Sequence, residues 1–195
     1  MNAHRRRAAA RRQVVVLTVT AVLVVAFTDG AGGSAIASAP RATVAPATWT
    51  AKVCTALGQW RTQVEAVAPQ AASSDPVVAR ASLSGSLGQS VIATDDLVRA
   101  LRAAGVPKVP QGRKIAASLV TTFTQARAQL AAATRRAERL PTTDANAFAK
   151  GAGTVERALE RTMTTVDTAL AKAGSRYPSK ALDRAFRRAA ACAAT

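Results

Sequence analysis

The chain has 195 residues, enough for one domain with a stretch to spare, and carries 27 Lys and Arg against 11 Asp and Glu, a net charge of +16. Ala supplies 48 residues and aromatics only 4%, a composition that favours helix and argues against a β-sandwich, which needs β-branched and aromatic side chains. Two Cys and one His exclude a Cys-only zinc ribbon and leave almost nothing for imidazole chemistry.

The N-terminal segment reads as an export signal. Arg5, Arg6, Arg7, Arg11 and Arg12 occur there without an acid, and Val14 to Phe27 form an apolar stretch interrupted only by Thr18 and Thr20. Gly30, Gly32, Gly33 and the small residues from Ser34 to Ala39 follow. A charged region, an apolar region and an A-x-A site in that order predict a signal peptide over 1–37, cut after Ala37. The competing reading is an uncleaved anchor, but 14 apolar residues fall short of the ~20 that span a bilayer. Arg11-Arg12-Gln13-Val14-Val15 also resembles a twin-arginine export signal. Both readings place the remainder outside the cytoplasm, secreted or associated with the cell wall. Cleavage removes five Arg, Asp29 and His4, leaving a mature charge of +12 and no histidine.

Residues 38–47 are rich in Pro, Ala and Thr without an apolar period and read as a disordered lead-in. Five helical patterns follow, with no strand-like alternation between them. The first, over 48–68, places Trp49, Val53, Leu57, Trp60, Val64 and Val67 on one face and ends at Pro69. The second starts at the cap Ser74-Asp75-Pro76, carries Val77, Ala81, Leu87, Val91, Val98 and Leu101, and closes at Gly105 and Pro107. Within it, Gly85 and Gly88 mark a close helix contact or a bend. The third, over 111–140, repeats Ile115, Leu119, Phe123, Ala126, Leu130, Ala133 and Ala137. The fourth starts at Thr143 or Asp144, carries Phe148, Ala152, Val155, Leu159, Met163, Val166, Leu170 and Ala173, and ends at Gly174. A short fifth starts at Ser179 with Leu182, Phe186 and Ala189 inward. Short breaks make successive helices antiparallel neighbours. The expected fold is therefore all-α: an antiparallel bundle of four long helices over 48–195, with the short C-terminal helix crossing one end.

Cys54 and Cys192 both flank apolar faces, and in an exported chain such a pair oxidises. A bridge between them brings the C-terminal helix to the first one. Catalysis is not expected. Without a mature His, Ser-His-Asp and Cys-His arrangements are impossible, and no metal site or cofactor motif is present. Asp95 and Asp96 are adjacent and read as a solvated face, with Asp95 able to pair with Arg99 four residues on. An acid/base role for these two carboxylates is the competing reading. Glu156 and Glu160, interleaved with Arg157 and Arg161, read as an exposed ion-paired face. Trp49 and Trp60, three turns apart on the apolar stripe, read as core, and Tyr177 as a packed corner.

Positive charge is the one feature that points to a partner. Lys180, Arg184, Arg187 and Arg188 lie opposite Leu182 and Phe186, and Arg135, Arg136 and Arg139 form a second cluster. Such faces attract polyanions. The expected partner is an anionic cell-envelope polymer or another extracellular protein; base-specific nucleic-acid binding is not expected without a helix-turn-helix pattern. A small-ligand carrier with an interhelical cavity is a further alternative. Val53-Cys54-x-x-Leu57-x-x-Trp60, Ala104-Gly105-Val106-Pro107 followed by Ile115-Ala116, then Leu140-Pro141 and a Cys near the C-terminus resemble the small secreted helical proteins of actinobacteria. That resemblance implies an exported, all-helical protein and carries over no catalytic residues.

Overall fold

The computed structural model describes residues 42–67, 73–189 and 192, so the predicted export segment lies outside the described residues. These residues fold as a mostly helical protein: α1 (Pro46–Ala66), α2 (Pro76–Ala103), α3 (Gly112–Glu138), α4 (Ala145–Arg176) and α5 (Lys180–Arg188). None of these helices is long and apolar enough to cross a membrane. Three starts follow from their caps. Asp75 accepts from the Val77 N–H, Asp144 from the Asn146 and Ala147 N–H groups, and Ser179 from the Leu182 N–H, each satisfying donors that a helix start leaves free.

The expected disordered lead-in at 38–47 is corrected where it is described. Thr43–Val44 form a two-residue strand, β1, paired in parallel with β2 (Val106–Pro107), and α1 already begins at Pro46. Pro46 fits the first helical turn because its ring fixes φ and its missing N–H is not needed there. The Val106 N–H donates to the Ala42 carbonyl (3.0 Å) and the Lys108 N–H to the Val44 carbonyl (2.8 Å). Two residues are too few to show alternation, which is why periodicity does not reveal this bridge. The chain enters β2 through Gly105, at φ +83°, where a Cβ would stand 2.7 Å from the Ala42 carbonyl oxygen.

Successive long helices pack on one another, α1 on α2, α2 on α3 and α3 on α4, while α5 packs on α1. Trp60 of α1 meets Thr94 of α2, and Trp49 meets Gly105 just beyond α2, so these contacts run in reverse order along the two helices. The same reversal links Arg80 to Leu140 and Asp95 to Arg127. The main core joins Trp49, Val53, Leu97, Leu101, Ile115, Leu119, Phe123, Val166, Tyr177 and Leu182. A second cluster of Leu87, Ala133, Ala137 and Val155 lies towards the far end of α3. Ala on α3 lets α4 approach closely there.

Several face assignments shift. Val77 and Met163, placed on core faces by spacing, are 52% and 41% exposed, whereas Ser90, Thr94 and Thr162 are buried. Each of those hydroxyls donates to the carbonyl one turn earlier, Thr94 to Ser90 at 2.7 Å, Thr162 to Ala158 at 2.9 Å and Ser90 to Ser86 at 2.9 Å. A polar side chain satisfied within its own helix can face the core. Gly85 and Gly88 have nothing within 4 Å of a notional Cβ, so neither marks a close helix contact. The close approach falls instead at Gly151, against Leu140. α4 runs through Gly174 to Arg176, two residues past its expected end.

Candidate functional site

Trp49 organises the end of the molecule where α1 starts. It is 1% exposed, its indole N–H donates to the Gly105 carbonyl at 3.2 Å, and Phe186 of α5 meets it edge-on with ring centroids 6.4 Å apart. Cys54 and Cys192 form the disulfide anticipated from the sequence, with Cα atoms 5.1 Å apart. The Trp49–Phe186 and Cys54–Cys192 contacts fall in the same order along both segments. α5 stops at Arg188, and Ala189 is extended at φ −79° and ψ 104°. Trp60 is also a packing residue: it donates to Thr94 Oγ1 at 3.1 Å and stands edge-on to Phe123. Tyr177 is buried at the corner between α4 and α5.

With Leu182 buried and Phe186 turned to Trp49, α5 presents Lys180, Arg184, Arg187 and Arg188 to solvent. Asp183 is the single acid on this helix. Arg135 and Arg136 in the last turn of α3, and Arg139 at its C-cap, are exposed as well. None of these seven residues enters an ion pair among the described residues. The fold does not bring the two groups together. α3 has 27 residues, a rise of roughly 40 Å. Its start adjoins β2 and the Trp49 corner, whereas the Arg cluster closes its other end, beside the Leu140 carbonyl that Arg80 reaches from the start of α2.

The acidic residues pair differently from expectation. Asp95 is held by Arg127 across the α2–α3 interface, Nε to Oδ1 at 2.9 Å and Nη2 to Oδ2 at 3.1 Å, and Arg99 pairs with Asp96 instead. Arg127 sits on the adjoining helix with its planar fork facing the carboxylate, a partner that spacing within α2 cannot reveal. Both Asp side chains are well exposed, 39% and 44%. Glu156 and Glu160 are exposed but form no ion pair among the described residues; Arg157 donates to Thr154 Oγ1.

The structure adds a basic segment that sequence clustering missed. The connection from β2 and the first turn of α3 expose Lys108, Arg113 and Lys114 around a shallow, open depression of about 540 Å³ lined by Thr43 and residues 106–114. Gln111 turns the chain there at φ 58°. Gly112 follows with no room for a side chain, since a Cβ would collide with the Pro107 carbonyl. The available signal was absence of the opposite charge: no Asp or Glu occurs between Asp96 and Glu138. No protein-family model matches the chain, and no significant match is found among curated proteins or solved structures.

Proposed function

We propose that the protein is an exported, non-catalytic antiparallel four-helix bundle, closed at one end by α5, that binds an anionic extracellular or cell-envelope polymer. The observation that carries this reading is α5: its apolar side chains are engaged by the core and its four cations face solvent without an ion pair among the described residues. Cations left unpaired on an anchored helix form a fixed field that attracts a polyanion. The disulfide supports export, because such bonds persist in oxidising compartments. Asp95, the carboxylate most eligible for catalysis, has both oxygens occupied by Arg127.

The reading is tested by retention on purified cell envelope and on an anionic polymer column. The expected result is retention at low ionic strength that falls steeply as salt rises. Passage straight through both matrices at low salt refutes it, as does retention that salt does not weaken.

A further inference from the structure

We infer that the polymer-binding surface is one end of the molecule, formed jointly by α5 and the β2–α3 connection, that its ligand is a linear phosphate-bearing polymer, and that the Arg cluster closing α3 takes no part. This rests on the polyanion reading above and assigns its site. Trp49 touches both halves of the surface, holding the Gly105 carbonyl three residues before Lys108 and the ring of Phe186 within α5. Trp49 thus ties the strand leading to Lys108, Arg113 and Lys114 to the helix carrying the other four cations. Acids are scarce around them: none occurs between Asp96 and Glu138, and Asp183 is the only one from residue 168 to the C-terminus.

Four of the seven are Arg, whose planar guanidinium matches phosphate oxygens in pairs. Arg135, Arg136 and Arg139 lie roughly 40 Å away along α3, far beyond a screening length of about 8 Å at physiological salt. A polymer rather than a membrane fits this end. Leu182 and Phe186 are engaged by the core, and the large apolar residues exposed among the described residues, Val77, Val78, Ile92 and Met163, belong to other parts of α2 and α4. A lipid surface would meet charges with only Val109 and Pro110 of the shallow depression, and no large exposed apolar side chain, to insert.

The oxidised protein is titrated with short-chain inorganic polyphosphate, too short to span the roughly 40 Å to the α3 cluster, across a salt series, beside three variants checked for unchanged helicity. These are Lys108→Gln/Arg113→Gln/Lys114→Gln, Arg184→Gln/Arg187→Gln/Arg188→Gln, and Arg135→Gln/Arg136→Gln/Arg139→Gln. The first two should each weaken binding at least about tenfold and flatten the log–log salt dependence by about 2, at roughly 0.7 per lost contact. The third should stay within about twofold of the parent, because a short chain held at the α5 end does not reach those arginines and screening removes their field there. Equal weakening by the third variant, or parental affinity in the first, overturns the assignment while leaving the polyanion reading intact. Absence of binding by the parent itself overturns both. Tighter binding to vesicles of anionic phospholipid than to polyphosphate overturns the choice of a polymer.

Discussion

Replacing Cys54 and Cys192 together by Ala removes the covalent tie between α1 and the C-terminal segment while leaving the Trp49–Phe186 contact available. The bridged residues are 138 apart in sequence. A loop of that length lowers the entropy of the unfolded chain enough to stabilise the fold by about 5 kcal/mol in the chain-entropy limit. Against a typical domain stability of about 5–15 kcal/mol, that is a large share. A domain of this size should lose about 10–20 °C in Tm. Urea unfolding followed by circular dichroism measures the loss, and the reduced, alkylated parent provides an independent version of the same perturbation.

The location of the loss is as informative as its size. α5 has nine residues and packs on α1, so without the bridge it should detach before the long helices unfold. Trp49, covered by Phe186, should then shift its emission to the red. Trp60, held by Thr94 and Phe123, should not. A Trp60→Phe background isolates the Trp49 signal. A stability loss under about 1 kcal/mol, with Trp49 emission unchanged after reduction, would refute the idea that the bridge holds α5 in place.

Glycine substitutions should divide by position. Gly85→Ala and Gly88→Ala, with open space at the Cβ, should each raise stability by about 0.5–1 kcal/mol in urea unfolding through helix propensity. Gly105→Ala and Gly112→Ala should lower it by about 1–3 kcal/mol in the same assay, the first through its positive φ and both through contact with neighbouring backbone. Ser118 Oγ is buried without a hydrogen-bond partner among the described residues, so Ser118→Ala should be neutral or stabilising by up to about 1 kcal/mol, read as a midpoint shift. Asp95→Asn should cost under about 1 kcal/mol at low salt, and less still in 1 M NaCl, because the Asp95–Arg127 pair is well exposed.

What could be read from the sequence depended on whether a residue's environment is set by its own helix or by another. The caps Asp75, Asp144 and Ser179 act within one turn, and type and position locate them to within a residue, Thr143 competing with Asp144. The disulfide was legible because only two Cys remain to pair. Polarity failed as a guide to burial at Ser90, Thr94 and Thr162, since a hydroxyl bonded to the carbonyl one turn back presents mostly carbon to the core. Partners across helices were hidden for a different reason. Asp95 chooses Arg127 over Arg99 because α3 passes alongside with its guanidinium in register, and that register is a property of the packed pair. The basic groups follow the same logic: Lys180 through Arg188 cluster by helical spacing, whereas Lys108, Arg113 and Lys114 are linked to α5 only through Trp49, which bonds Gly105 and meets Phe186. On the proposed surface, a buried side chain that holds two segments, and not a contact between charges, is what would let their fields add.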